Sequence, residues 1–441
     1  HTCELTVSVT FNAAIPKPYV DDMEADEYED ARALLTANAT PRTTYIEGVT
    51  LTENVSNVQE LADLPLGVRP VFSGLDQATS LAKATYDAAV SVAQTYVRDS
   101  MTDIQKVQVF FDYLSRYVTY DYYTMVWYEI SDRDRILEHN QYASFYNAAI
   151  ATNQWNAFSE AERKDINACT NYRTSAKLVR RMAAEPGAKA FWGNWAATFD
   201  TFEADTMEDL RAFARQEVVN RNYTGTSLDT NVERMCAEDT FEGMMGVLFE
   251  MASSSAFDGY GALVGKVAVC DGISDAFRIL CLVEGIECLK VSGIGKTENH
   301  AWNKVKIGDS WYVVDATWSK AAKCVIHRYF MVSDEVIASS HDERTGDVSR
   351  VETLALASGY NYYRDTIVHD VSLYTEDIDD FKSTFKTLYG AGETTIELYV
   401  ASVPSEATLK KALSDAISEL HILGGVTYTI SYADGYVMVV F

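Results

Sequence analysis

One stretch, Gly259 to Trp318, constrains the fold more than any other, because its hydrophobic period changes once and in a fixed order. After Cys270 the apolar residues Ile273, Ala276, Phe277, Leu280 and Cys281 recur at helical intervals, and Gly285 stands where a left-handed C-cap glycine closes a helix. Beyond it the period shortens. Glu287 to Gly293 is rich in β-forming residues. Ala301 to Ile307 alternates, with Asn303, Val305 and Ile307 on one face and Lys304 and Lys306 on the other, and Trp311 to Ala316 gives a third strand. A helix followed by three strands is an α+β pattern in which the helix packs on an antiparallel sheet.

Three polar residues punctuate this pattern. Cys270 opens the helix, His300 precedes the second strand and Asp315 ends the third, 30 and then 15 residues apart. At a helix N-terminus the free backbone N–H groups and the positive end of the helix dipole favour a thiolate, and the same N–H groups can donate to an oxyanion. If the last two strands pair through Gly308-Asp309-Ser310, His300 and Asp315 come roughly level. A thiol on a helix facing an imidazole and a carboxylate on a sheet is a papain-like arrangement of nucleophile, base and orienting group. Singly, each residue has a plainer reading: an inert buried thiol, a satisfied structural histidine, a turn-forming aspartate. Their order and local context favour the joint reading.

The pieces Val269-Cys270-Asp271-Gly272, His300-Ala301-Trp302-Asn303 and Asp315-Ala316-Thr317-Trp318 closely resemble the core of the transglutaminase-like superfamily, bacterial branch. The resemblance implies that Cys270 is the nucleophile, His300 the base and Asp315 the residue that orients it, with Trp302, Asn303, Thr317 and Trp318 in support. Ile273 departs from the pattern, which often has an aromatic after the glycine, and this bears on the shape of the adjacent pocket. Met101 to Tyr122 resembles the family's lead-in helix and strand, and His327 to His341 its trailing segment. Tyr260, ten residues before Cys270, is a candidate oxyanion donor or a packed side chain. The implied chemistry is attack on an amide of a protein or peptide substrate through an acyl-enzyme. Water would complete a peptidase or amidase reaction, an amine a transglutaminase reaction, and hydrolysis is favoured. The rival from another class is a surface binding or adhesion module that keeps the fold without turnover.

Composition narrows the partners. With 64 acidic against 37 basic residues and a net charge of −27, the chain is ill suited to nucleic acid or an anionic membrane surface. No run of eighteen apolar residues occurs, so no membrane insertion is expected. Absence of CxxC and HExxH patterns leaves no sequence support for a metal, and no cofactor is expected. Seven cysteines leave at least one free thiol, for which Cys270 is the natural choice, and Cys169 with Cys236 is the suspected pair. The first residue is His1, for which a removed secretory signal is one explanation, and with the bacterial resemblance this points to the cell surface or the exterior. Asn38, Asn54 and Asn222 sit in N-x-S/T triplets, which matter only in a glycosylating pathway.

Along the chain, residues 1–75 read as an N-terminal α+β region, with strands at Glu4 to Phe11 and Thr44 to Leu51, and an acidic run at Asp21 to Asp30 leading into a helix at Ala31 to Leu35. The core is expected at 76–122 and 255–345, beginning with helices at Asp76 to Asp99 and Asp103 to Tyr117. Between its parts, residues 123–254 read as a helical insertion, broken at Pro186-Gly187 and rich in aromatics: Trp127, Trp155, Trp192, Trp195, Tyr123, Tyr128, Tyr142 and Tyr146. These either fill the insertion's own core or wall the cleft over Cys270, with Phe191-Trp192-Gly193-Asn194-Trp195 the segment to watch. Arg344 to Gly359 reads as irregular. Residues 365–441 read strand, helix, strand, helix, strand, strand, a C-terminal α+β domain without a catalytic constellation, with Ser405 as an N-cap and Ala433-Asp434-Gly435 as the last turn.

Overall fold

A computed structural model describes residues 5–10, 42–220, 232–240, 243–244, 246–247, 255–296, 298–321, 324–343, 355, 362–364, 371–403, 405–421, 425–431 and 435–441. The acidic run at 21–30, the helix expected at 31–35, nearly all of 344–359 and the turn residues Ala433 and Asp434 lie outside them. Two compact units divide the chain, His1–Tyr120 with Ser255–Phe441, and Asp121–Ser254.

The first unit is mixed α+β. Its elements are β1 (Leu5–Thr10), α1 (Gln77–Tyr96), α2 (Asp103–Tyr117), α3 (Cys270–Val283), β2 (Cys288–Gly295), β3 (Glu298–Ile307), β4 (Ser310–Val314), β5 (Phe330–Val332), β6 (His341–Glu343), β7 (Tyr374–Thr375), α4 (Ile378–Gly390), β8 (Thr395–Val400), α5 (Glu406–Glu419), β9 (Gly425–Ser431) and β10 (Tyr436–Val440), with shorter pieces between. Capping side chains start the helices where the sequence supplies them: Asp76 accepts from Thr79 N–H, Thr102 from Gln105 N–H, and Ser405 from Thr408 N–H. Helix α3 stops at Gly285, whose φ of +74° suits a left-handed cap, and Ile286 N–H donates back to Cys281.

Five antiparallel strands in the order β5-β4-β3-β2-β6 form the sheet on which α3 lies. Val305 and Ile307 share one apolar cluster with Ile273, Ala276, Phe277 and Leu280 of α3. Asn303 on the same face donates to Ser274 O and Leu289 O, tying helix to sheet. The opposite face is covered as well. There Val291, Trp302, Trp311, Val313 and Tyr329 pack together, and the fully buried Lys304 lies 3.1 Å from Asp334 and 2.7 Å from Glu343. That pairing compensates a charge that would otherwise be costly to bury, and it pins the three-residue edge strand β6 to β3.

The second sheet runs β1-β9-β10-β8-β7, antiparallel except for β7 with β8. Its α4 and α5 bury Phe381, Phe385, Leu409, Leu413 and Ile417 in the cluster that also holds α1, α2 and α3 side chains. A buried polar node joins the two regions. His327 donates its backbone N–H to Glu397 Oε1 (2.8 Å), and its ring nitrogens meet Glu397 Oε2 (2.8 Å) and Asp112 Oδ1 (2.9 Å). Burial alone would lower the imidazole's proton affinity, but Glu397 and Asp112 outweigh it and raise its pKa to about 9. A histidine in the unfolded chain titrates near about 6.5. Its contribution to stability is therefore whole below that pH and is lost as pH rises through about 9. Urea midpoints measured from pH 6 to 10 should fall across this window, and His327→Ala should remove the slope and cost about 3 kcal/mol by taking the counter-charge from the buried Glu397, which keeps the backbone N–H of residue 327 and the Tyr436 hydroxyl.

Thr44 to Leu51, expected as a strand, instead makes a 3-10 turn at Tyr45–Gly48, and the strand is Leu51–Asn54. The cause is local, since Glu47 reaches back to Thr44 N–H (3.2 Å) and caps the turn.

The second unit is built of helices, Tyr122–Ile150, Thr152–Ala157, Glu160–Asn167, Tyr172–Ala183 and Ala190–Asn220 among them. Phe191, Trp192 and Trp195 pack with Phe145, Phe158 and Phe199 in this unit's own core, and Trp192 donates to Glu162 (3.0 Å). Tyr142, Tyr146 and Trp155 border that core and Tyr128 is exposed; the side chains of Tyr123 and Trp127 are outside the description. The suspected bond between Cys169 and Cys236 is not formed. Both are free thiols that instead meet backbone carbonyls, Cys169 that of Asp165 and Cys236 that of Arg211. Among the described residues no helix is long and apolar enough to cross a membrane.

Candidate active site

Cys270 is the first residue of α3, after an extended Val269. The first bond of the helical ladder is Ile273 N–H to Val269 O, so the N–H groups of Cys270, Asp271 and Gly272 precede it beside the thiol. Gly272 is required by a close approach: a Cβ there would stand 2.5 Å from Ala256 O and 2.7 Å from Asp258 O. The backbone of 256–258 thus lies against the helix start, and Val269 N–H bonds Ala256 O, which fixes where the thiol emerges. Ser274 Oγ donates to Cys270 O from one turn on.

His300 comes from β3 and Asp315 follows β4. These strands close through Gly308 and Asp309, with Ile307 paired to Ser310 and Asn303 to Val314. Continuing that register sets Asp315 beside Trp302, so Asp315 and His300 are one diagonal step from level, close enough for side chains to meet. His300 Nε2 lies 2.9 Å from Asp315 Oδ2, and the Cys270 thiol, after Asp315, adds to the proton affinity of the same imidazole. With Nε2 engaged, Nδ1 is the nitrogen left for the thiol.

Burial alone would make Asp315 harder to ionise, yet the His300 and His341 imidazoles hold it well below the ordinary carboxylate range. His300 is buried too, which by itself would lower its pKa, but the charge of Asp315 and its hydrogen bond, followed by Cys270, push it up to about 10. An imidazole so placed favours its protonated form. Cys270 and His300 are each 7% exposed and Asp315 is fully buried.

The surrounding residues differ in what they touch. Trp318 stacks on His300 with ring centroids 4.5 Å apart and Trp302 at 5.9 Å, so two indoles steady the imidazole plane. Thr317 and Trp318 donate backbone N–H groups to Asp315 Oδ1 at 2.9 and 3.3 Å. Asn303 acts on the helix carrying Cys270 rather than on the imidazole. Ile273, the departure from the motif, is buried in the main apolar cluster. Tyr260 packs partly buried against that cluster, and no described contact brings its hydroxyl to Cys270 or His300.

The sequence reading passed over His341. It lies on β6 with Nε2 3.2 Å from Asp315 Oδ2, and only its place at the end of the trailing segment hinted at it. Among the described residues, His300, Asp315 and His341 are the one group whose ligand atoms, within 4.8 Å of one another, could hold a metal. Both imidazoles, however, point at the same carboxylate oxygen at hydrogen-bond distance.

Residues 249–316 match the family model described as the transglutaminase-like superfamily. Kyphoscoliosis peptidase of Mus musculus is 34% identical over 61 residues, 11% of this chain and 9% of that protein. Kyphoscoliosis peptidase of Homo sapiens is 22% identical over 149 residues, 29% of this chain and 22% of that protein. The chain thus spans less than a quarter of the length of these relatives. It carries a transglutaminase-like core domain, an antiparallel sheet packed against a Cys-bearing helix, with distant similarity to kyphoscoliosis peptidase.

Proposed function

We propose that this protein is a thiol-dependent peptidase or amidase with a papain-like site, its core at residues 76–122 and 255–345, a helical insertion at 123–254 and an appended C-terminal α+β domain at 365–441. His300 Nδ1 takes the proton of Cys270, and the thiolate attacks the carbonyl of a protein or peptide amide. The N–H groups at the start of α3 bind the oxyanion. His300 then gives its proton to the departing amine, leaving a thioester that water hydrolyses to acid and free thiol; an amine in place of water would give acyl transfer. Asp315 keeps His300 in the tautomer that leaves Nδ1 open. One observation carries this reading: a single imidazole lies between a helix N-terminal thiol and an ionised, fully buried carboxylate. The peptidase name of the distant relatives supports it.

A second reading, a binding module that retains the fold without turnover, is favoured by the coverage of Cys270, whose exposure is 7%. Alkylation by iodoacetamide separates the two. An active thiolate–imidazole pair should label at Cys270 rapidly down to about pH 6, well below an ordinary thiol at about 8.5, and lose that acid-side reactivity in His300→Ala. Slow labelling with an ordinary thiol profile in both proteins would sink the enzymatic reading.

A further inference from the structure

We infer that His341 is a positioning residue of this site: as a second imidazole N–H donor on Asp315 Oδ2, it shares the carboxylate with His300 and so sets how strongly His300 holds its proton. The inference rests on the thiol–imidazole reading above.

Asp315 has four acceptor positions and four donors. Thr317 and Trp318 N–H fill Oδ1, and His300 and His341 fill Oδ2, at 2.9 and 3.2 Å. A wholly buried carboxylate has no water to turn to, so each donor takes a share of its charge. This matters most in the step where His300 releases its proton. With the imidazole neutral, Asp315 is a bare buried anion unless other donors hold it, and the more of its charge remains unshared, the more reluctantly His300 gives the proton up.

Placement of His341 suits this task. It is buried, its other nitrogen meets Ser340 Oγ at 2.8 Å, and its ring sits edge-on to Trp302 (4.8 Å) and Tyr329 (5.1 Å). Two residues on, Glu343 is locked to the buried Lys304, so the strand presenting His341 is anchored independently of the site. Among the described residues, the charged and titratable groups around the pair include Cys270 on α3, His300 on β3, Tyr329 ahead of β5 and Lys296, whose ammonium lies 5.2 Å over the Trp318 ring.

The test follows loss of the His300 imidazole proton against pH by ¹⁵N shifts in wild type, His341→Phe and His341→Gln, alongside iodoacetamide labelling of Cys270 in wild type and His300→Ala. Loss of the donor in His341→Phe concentrates the Asp315 charge on His300, so the pH at which His300 gives up its proton should move up by about one unit. In His341→Gln an amide N–H can still reach Oδ2, and most of the wild-type profile should return. A purely structural role would not distinguish the two variants in this way. An unmoved midpoint in His341→Phe, or equal shifts in both variants, overturns the inference while the collapse in His300→Ala leaves the proposed function standing. Failure of His300→Ala to change anything overturns both. Should His341→Phe not fold, ¹⁵N spectra of histidine-labelled wild type still decide: Nε2 of His341 must carry a proton, and a bare Nε2 rules out donation to Asp315.

Discussion

Replacing Cys270 by alanine is expected to reduce hydrolysis of any amide substrate by about 10⁴-fold or more, with the fold unchanged. The thiol is the only atom lost, and the contacts that place it are made by backbone, Val269 N–H to Ala256 O and Ile273 N–H to Val269 O. Helix α3 therefore starts in the same place without it. His300→Ala should come within about tenfold of the same loss, because residues that act as one unit do not contribute additively. The check is turnover of a peptide library by purified variants, with circular dichroism to confirm folding. Activity surviving in Cys270→Ala would end the nucleophile assignment.

Asp315→Asn should cost about 10⁴-fold in turnover although it removes no atom of bulk. Its Oδ1 accepts from Thr317 and Trp318 N–H, and only an oxygen satisfies those two donors. The amide must therefore keep its carbonyl there and turn its NH₂ toward Nε2 of His300 and of His341. A donor facing Nε2 drives the imidazole proton to Nδ1, the nitrogen on which the thiol depends. The variant should fold, yet label with iodoacetamide as an ordinary thiol, and ¹⁵N shifts of His300 should report the switched tautomer. Retained acid-side labelling would show that Asp315 does not set the tautomer.

Much of the neighbourhood of Cys270 was legible because its determinants are local. The helical period from Ile273 to Cys281, the cap at Gly285 and the alternation through Val305 and Ile307 each need only a few neighbouring residues, and they appear as α3 and β3. The turn between β3 and β4 was legible to within a residue, since Gly308 supplies the positive φ and Ser310 already belongs to the strand. In the C-terminal region the strand and helix order was legible for the same reason. Illegible features depend on partners far away in the chain. His341 sits in a three-residue strand too short to show alternation, and its importance arises only from a carboxylate 26 residues earlier. The alternation put Lys304 on the face opposite Val305 and Ile307, but nothing local showed that Asp334 and Glu343 fold over it and bury it. Cys169 and Cys236 could be suspected of pairing because spacing carries no geometry.

The pairing of β1 with β9 carries a consequence for how the chain is made. Leu5 is matched to Ile430 and Thr10 to Gly425, so this strand must wait for a partner that lies far downstream in the chain. At ordinary translation rates the two emerge roughly 20–80 s apart. Throughout that interval Leu-Thr-Val-Ser-Val-Thr, an alternating β-forming segment, has no native neighbour, while α1 to α3 and the first sheet already have theirs. The second sheet is thus completed only once β9 has been made, and the period of waiting is when an unpaired strand is most open to pairing with another nascent chain.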